Sequence, residues 1–345
     1  MRRSLVPGLS IVLIGPTLTG CGLFGGSSSL DDALEVVPGS ASRVIFFDRA
    51  EAMERLDVDD IDADSSQDEI DEYVDAVLEL PWSTELDRSL LIMLEDAPFT
   101  AQDVDWEVTS FDNDSGFGRV WRMDDDLDLD DVIDDLKELG FEEERSEGDA
   151  HTLRIDLEDI GEDLTWLTPL LNVTIVPDEH LVITGPLADD VAEVVADDAD
   201  SAVDSDAFED LVDSTDDVEL ADLARDDLAC SLGVSRLTPE QQEASGIGDL
   251  GHPEEVGFFV HGDDADTRSV LQFDSDEAAE DDATAREEYL DEGSSPVSGV
   301  PYSEFGDWEI EAEGDQVRID VDYDDAKDVP AVVSRGDYVS VCAPD

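Results

Sequence analysis

The sequence predicts an α+β fold, in which antiparallel strands pack with helices. Apolar runs at residues 105–111 and 117–123 flank the polar turn 113–116, which is typical of a hairpin. A helix follows over 129–139, where apolar residues recur at three- and four-residue spacing. The order strand, polar turn, strand and acidic helix returns over 256–290. This repetition suggests two tandem units, each a small antiparallel sheet packed with helices. The alternative is a mixed fold in which the matched order arises by chance.

A buried strand and a short helix open the first unit. Residues 43–48 form an apolar run rich in β-branched and aromatic side chains, which indicates a buried strand. Residues 49–56 continue as a helix, and a carboxylate-rich loop follows. Ser66 and Glu69 have the spacing of a capping box, which predicts the start of the next helix. Pro81 ends that helix.

The rest of the first unit, which we place at residues 31–215, continues with strands and then helices. Short runs with β-branched residues predict the strands, and apolar stripes after turn residues predict the helices. These elements are strands over 90–94 and 152–156, a hairpin of 173–176 with 181–184, a helix that starts at Pro186, and a short helix capped by Ser205.

The second unit is placed at residues 216–345. Its first part, residues 218–252, shows little regular pattern, apart from a short helix expected at Thr238-Pro239. Alternation and turn residues predict the later strands. The remaining elements are strands over 256–261 and 269–273, a helix over 276–290, a hairpin of 308–312 with 317–321, and a final strand over 338–342.

Acidic residues dominate the composition. The chain has 95 Asp and Glu against 18 Lys and Arg, for a net charge of −77, yet 41% of its residues are hydrophobic. The periodic apolar positions favour a folded protein over a disordered one. Such a surface repels itself at low salt and is screened at high salt, which is typical of halophilic adaptation to brine. Without a basic patch the chain is not expected to bind nucleic acid.

The N-terminus carries a targeting signal. Arg2 and Arg3 precede an apolar run over 5–18 that is too short to span a bilayer, which is typical of a signal peptide. The residues Leu18-Thr19-Gly20-Cys21 that end this run resemble the lipobox of bacterial lipoproteins. That resemblance implies cleavage before Cys21 and a diacylglycerol on its sulfur. The alternative is an ordinary secretory signal that contains a cysteine.

The lipobox resemblance also defines the domain organisation and the location. Residues 1–20 would be the signal peptide, and residues 21–30 the lipidated cysteine with a flexible Gly- and Ser-rich tether. The protein is then expected on the extracytoplasmic face of the cell membrane. Its N-terminal lipid would hold it there unaided, because an acidic surface is repelled by anionic headgroups.

Two cysteines remain if Cys21 is acylated. Cys230 and Cys342 form an even pair in an oxidising compartment, which favours a disulfide between them. The alternative is two free buried thiols. A disulfide would place the C-terminal segment against the start of the second unit.

A weak calcium candidate lies in the acidic loop of the first unit. Five aspartates occupy the first, third, fifth, ninth and twelfth positions of an EF-hand-like spacing. Ser65 stands where the sharp turn needs glycine, and the last ligand is an Asp instead of a bidentate Glu. A solvated acidic loop is therefore the alternative. The candidate ligands are Asp60, Asp62, Asp64, Asp68 and Asp71.

Catalytic motifs are missing from the sequence, and four scattered histidines join none. The hairpin and acidic helix loosely resemble uncharacterised extracytoplasmic bacterial proteins, and this resemblance brings no catalytic residues. We therefore expect a non-catalytic, lipid-anchored envelope protein that binds an unknown protein or small molecule and needs no cofactor. The alternative is an extracellular hydrolase that uses carboxylates. A cavity that holds a carboxylate of raised pKa beside an aromatic wall would favour the hydrolase.

Overall fold

The structure is a computed structural model. It describes residues 28–342, except 59, 63, 85, 113–115, 148, 157–166, 206, 214, 216–217, 232–246, 263–265, 296, 324–327 and 336–337. The lipobox with Cys21, most of the turn at 113–116 and the helix expected at Thr238-Pro239 lie outside the described residues. The statements below concern the described residues.

Twelve strands of the described chain form one antiparallel sheet. Alternating or continuous apolar runs produce most of them, as the sequence predicts. In chain order they are β1 Arg43–Asp48, β2 Val104–Asp112, β3 Gly116–Met123, β4 Glu142–Glu147, β5 Ala150–Arg154, β6 Asn172–Val176, β7 Leu181–Thr184, β8 Val218–Arg225, β9 Glu255–His261, β10 Asp266–Gln272, β11 Gly306–Glu313 and β12 Gln316–Tyr323.

The strand order is β11-β12-β10-β9-β8-β1-β2-β3-β7-β6-β5-β4. β1 and β8 pair at the centre, with Arg43 opposite Ala224. On one side β2 and β3 follow, and the second strand of a later hairpin, β7, pairs with β3. On the other side β9 and β10 follow, and β12 pairs with β10 in the same way. The mixed α+β class is thus confirmed. The expectation of two separate small sheets is wrong, because β1 and β8 join both halves in one sheet.

Helices cover both faces of this sheet. They are α1 Ser29–Glu35, α2 Arg49–Leu56, α3 Gln67–Val77, α4 Leu90–Asp96, α5 Leu129–Glu138, α6 Ala188–Val195, α7 Glu209–Val212, α8 Asp276–Glu292 and α9 Asp328–Arg335. Over the parts of the chain that the structure describes, none is long and apolar enough to cross a membrane.

The two faces have separate hydrophobic cores, because successive side chains of a strand point to opposite faces. Ile45 and Phe47 of β1 belong to one core, together with residues of α2, α3, α4, α5, α8 and α9. Val44 and Phe46 belong to the other, together with residues of α1, α6 and α7. The N-terminal helix α1 and the helix pair α3–α4 therefore lie on opposite faces of the sheet.

Local signals set several helix boundaries as expected. The Ser66 hydroxyl accepts from the Glu69 N–H, and the Glu69 carboxylate accepts from the Ser66 N–H at 2.7 Å, so the predicted capping box begins α3. Gly140 follows α5 with a φ of +104°, a conformation that glycine adopts without strain. The helix α1 starts at Ser29 and buries Leu30, so the folded domain begins inside the segment expected to be a tether.

The run 90–94, expected as a strand, is the helix α4. A short continuous apolar run does not by itself distinguish the two structures. Leu90 and Met93, three residues apart, are buried, whereas Leu91 and Ile92 between them are exposed. This is the helical period, and it leaves two large apolar side chains in solvent.

The irregular region expected over 218–252 contains the central strand β8. Charged residues hide its apolar pattern, but both carboxylates are buried and paired. Arg43 donates two hydrogen bonds to Asp222, and Arg55 donates two to Glu219. The edge strand β4 was not predicted, because it is almost entirely charged.

Two further expectations near helix and chain ends are wrong, and one helix was missed. The segment 338–342 is buried but is not a strand, and the helix α9 before it was not predicted. Phe208, with a φ of 65°, occupies the N-cap position of α7 in place of Ser205, whose hydroxyl donates to the Ala202 carbonyl at 3.1 Å.

Candidate functional site

An apolar groove lies between α3 and α4. Its volume is about 460 Å³, which is within the range of small-molecule sites, about 300–1,000 Å³. Apolar side chains of the two helices form its walls, and a few polar side chains join them. The lining residues are Tyr73, Val74, Val77, Leu78, Ser83, Asp87, Ser89, Leu90, Leu91 and Ile92.

The groove gathers large apolar side chains that are open to solvent. Leu78 is 73% exposed, Leu91 is 52% exposed and Ile92 is 57% exposed. Among the described residues only one other large apolar side chain, Val203, is exposed to a similar degree, at 48%. Single exposed apolar residues are ordinary, but a cluster of them indicates a binding surface.

A buried polar cluster forms part of the groove and the layer behind it. Arg49, the first residue of α2, donates to the hydroxyl of Tyr73. Arg49 Nη2 lies 3.6 Å from Asp87 Oδ1, and each of these two charged side chains is only 3% exposed. Asp87 Oδ2 accepts from the Thr84 N–H at 2.9 Å. Asp87 and Tyr73 line the groove, and Arg49 lies behind them.

Burial changes the acidity of this cluster. Desolvation raises the pKa of Asp87 above its usual range, although Arg49 and the hydrogen bonds from Thr84 oppose this effect. Desolvation also raises the pKa of Tyr73 to about 12, against the opposing charge of Arg49. The groove therefore holds a carboxylate of raised pKa beside an aromatic side chain, which is the feature that would favour a hydrolase.

The chemistry available in the groove is nevertheless limited. Among the lining residues that the structure describes there is neither a histidine nor a second carboxylate. Glycoside hydrolysis generally uses two carboxylates, and serine nucleophiles need an adjacent base. Asp87 instead faces Arg49, which balances its charge.

A second cavity, of about 600 Å³, lies where β9, β10, β11 and β12 end. It contains His261 and Trp308, whose proximity no sequence pattern predicts. Arg268 Nε donates to Asp320 Oδ1 at 2.7 Å across two of these strands. Charged side chains dominate its lining, which consists of His261, Asp266, Thr267, Arg268, Asp307, Trp308, Glu309, Asp320, Val321 and Asp322.

The candidate calcium ligands do not converge. No group of three or more potential ligands that could hold a metal ion occurs among the described residues, which include all five aspartates. Asp68 and Asp71 lie in α3, because the helix begins at Gln67. Asp62 Oδ1 accepts from the Asp64 N–H at 2.9 Å, which makes it part of a local turn. In the structure these aspartates thus lie in an acidic turn and in the capped helix that follows it.

The expected disulfide between Cys230 and Cys342 is confirmed, with the two Cα atoms 5.2 Å apart. Cys230 lies in the short 3₁₀ helix Asp226–Ser231 that follows β8. The bond thus holds the C-terminal segment against the start of the second half, as the sequence predicts.

The sequence matches no protein-family model and no curated protein. Among solved structures, the fold is similar to crystal forms of TP0453. For crystal form I the TM-score is 0.46 at 12% identity, over 88% of this chain and 98% of that chain. For crystal form III the TM-score is 0.42 at 11% identity, over 87% of this chain and 97% of that chain. This similarity identifies neither a ligand nor an activity.

Proposed function

We propose that this chain is a lipid-anchored extracytoplasmic protein that binds an apolar ligand in the groove between α3 and α4 without transforming it. The observation that carries the proposal is the cluster of Leu78, Leu91 and Ile92 in solvent. The lipobox residues that end in Cys21 support the anchor, and the disulfide is consistent with an oxidising compartment.

Exposed apolar side chains are unexpected at this place unless a ligand covers them. The chain has 95 Asp and Glu residues, so acidic side chains are common enough to occupy exposed positions. Covering apolar surface contributes about 25 cal/mol for each Å² removed from water. The cavity is concave and of small-molecule size, so a ligand can contact both helices at once.

A matched pair of variants tests the groove. Leu91→Asp places a charge in the groove, and Val203→Asp places one at an equally exposed apolar position outside its lining. We expect a neutral apolar dye to bind the native chain, to bind Leu91→Asp at least about tenfold more weakly, and to bind Val203→Asp unchanged. Fluorescence titration measures the affinities. Equal loss in both variants, or no binding at all, contradicts the proposal.

The anchor has its own test. In Cys21→Ala the acceptor sulfur of the lipid is removed, so we expect the protein to leave the membrane fraction. Immunoblots of membrane and soluble fractions after a high-salt wash measure this release. A Cys21→Ala protein that still sediments with membranes would show that the lipobox interpretation is wrong.

A carboxylate-based hydrolase is the second candidate, and the raised pKa of Asp87 is the observation in its favour. Its pairing with Arg49 speaks against that role. The two candidates differ in turnover, because a binding protein returns its ligand unchanged. Chromatography of esters and glycosides incubated with the protein distinguishes them.

The duplicated unit also remains part of the proposal. The equivalent positions of β1 and β8, of β2–β3 and β9–β10, and of β7 and β12 support it. The halves differ in detail, since the first carries the additional edge strands β4 and β5. The helices α3 and α4 that form the groove belong to the connection between β1 and β2.

A further inference from the structure

One buried hydrogen-bond acceptor beside the groove has no donor in the described part of the chain. Within the described part of the chain, Asp87 Oδ1 accepts no hydrogen bond, and Arg49 Nε donates none. Arg49 Nη2 is 3.6 Å from Asp87 Oδ1, which is longer than a hydrogen bond. Buried polar groups are nearly always paired, so such an exception calls for a partner.

Other polar atoms of this cluster have partners, namely Asp87 Oδ2, Arg49 Nη2 and the Tyr73 hydroxyl. Asp87 Oδ2 accepts from the Thr84 N–H, and Arg49 donates to the Tyr73 hydroxyl. These contacts fix the position of the carboxylate, and Oδ1 is left buried with no donor within hydrogen-bond distance in the described chain. Asp87 is also the only carboxylate among the described lining residues. A ligand in the groove thus meets apolar walls and one oriented acceptor.

Electrostatics limits the ligand that can reach this acceptor. A carboxylate or phosphate cannot donate to Asp87, and a net charge of −77 repels it. An ammonium could donate, but it would lie beside the guanidinium of Arg49, which already balances Asp87. A hydroxyl or an amide donates without bringing a charge into the desolvated groove.

We propose that the groove selects a neutral amphiphile, an aliphatic chain whose hydroxyl or amide head donates a hydrogen bond to Asp87. This inference rests on the proposed function, because it names the ligand class of the same groove. Leu78, Leu91 and Ile92 contact the aliphatic chain. Arg49 is a positioning residue, because it lies beside the Asp87 carboxyl and donates to the neighbouring Tyr73 hydroxyl.

A series of ligands with one chain length and different heads tests the selection. The probes are decanol, decyl methyl ether, decylamine and decanoate, titrated by calorimetry below their aggregation concentrations. Since the ether cannot donate, we expect it to bind about tenfold more weakly than decanol. Decylamine and decanoate should also bind more weakly than decanol.

The double variant Arg49→Met with Asp87→Leu removes the acceptor without leaving a buried unpaired charge. We expect it to bind decanol and decyl methyl ether with equal affinity. Leu91→Asp should weaken both, because it disrupts the wall that they share. If the double variant does not fold, the ligand series on the native chain still decides.

The outcomes separate the two proposals. If decanol and the ether bind the native chain equally, or if the amine or the carboxylate binds most tightly, the head-group selection is wrong while the apolar groove stands. If no decyl compound binds, the proposed function fails as well. Preference for decanol that is lost in the double variant supports both.

Discussion

Two buried arginine–aspartate pairs, one in each half of the molecule, differ in how completely they are satisfied. In α8, Arg286 donates to both carboxylate oxygens of Asp282, at 3.0 and 3.2 Å, and both side chains are fully buried. Arg286 also donates to the carbonyls of Val339 and Val341, at 3.1 and 2.7 Å. Asp282 Oδ1 accepts from the Gly251 N–H at 2.7 Å.

The pair of Arg49 and Asp87 is almost as deeply buried but lacks this completeness. Its closest nitrogen–oxygen distance is 3.6 Å, and one atom on each side chain has no hydrogen bond within the described chain. A satisfied pair ties distant segments together, here α8 to the C-terminal segment. An unsatisfied pair beside a groove has capacity left for a ligand. The comparison therefore separates a structural cluster from a candidate site of similar composition.

The largest effect is expected from the disulfide, which holds the segment that Arg286 binds. Its cysteines are 112 residues apart, and the chain-entropy model assigns about 4–5 kcal/mol to a loop of that length. We expect the variant Cys230→Ser with Cys342→Ser to lose about this much stability, measured by urea unfolding. A loss below about 1 kcal/mol would show that Arg286 alone holds the segment.

The next effect is expected from replacing the complete pair. The variant Arg286→Met with Asp282→Leu leaves the Gly251 N–H and the carbonyls of Val339 and Val341 without their partners. At about 1–3 kcal/mol for each buried unsatisfied group, the free energy of unfolding should fall by at least about 3 kcal/mol. Urea unfolding checks this value. A stable variant would mean that the network contributes little, contrary to our interpretation.

The smallest effect is expected from replacing the incomplete pair. Buried ion pairs exchanged for apolar residues are often neutral or stabilising, by about 1–4 kcal/mol. The variant Arg49→Met with Asp87→Leu also leaves the buried Thr84 N–H and Tyr73 hydroxyl without their partners, which costs about 1–3 kcal/mol for each group. The two effects oppose each other, so we expect stability to change by less than about 2 kcal/mol, in contrast to the matched variant of α8. A loss of about 3 kcal/mol would remove the distinction between the pairs.

The same variant should change the pH dependence. Because the folded-state pKa of Asp87 is raised above its ordinary value of 3.8, the folded chain binds its proton more tightly than the unfolded chain does. Asp87 therefore favours folding most below pH 3.8, and this contribution is lost as the pH rises through the raised pKa. The stability of the double variant relative to the native chain should therefore rise across that interval. Unfolding curves at several pH values measure the difference.

Sequence patterns predicted elements whose local signal agrees with their environment. The strand β1, the hairpin of β2 and β3, and the helix α5 have apolar spacing, turn residues or caps that already specify them. The strand β8 was missed because Glu219 and Asp222 interrupt its apolar pattern. Their partners Arg55 and Arg43 lie more than 160 residues away in the chain. Local periodicity contains no information about such partners.

The sequence by itself determined the acidic composition, the mixed α+β class and the lipobox pattern, because each depends on residue identity or short spacing. It favoured the cysteine pairing through the even number of cysteines that remain beside Cys21, and the structure confirmed it. Tertiary structure alone decided that β1 and β8 join both halves in one sheet, since strand pairing depends on distant segments. It also decided the groove. Leu90 to Leu94 are apolar in any conformation, and only the helical turn of α4 against the core buries Leu90 and Met93 and leaves Leu91 and Ile92 in solvent.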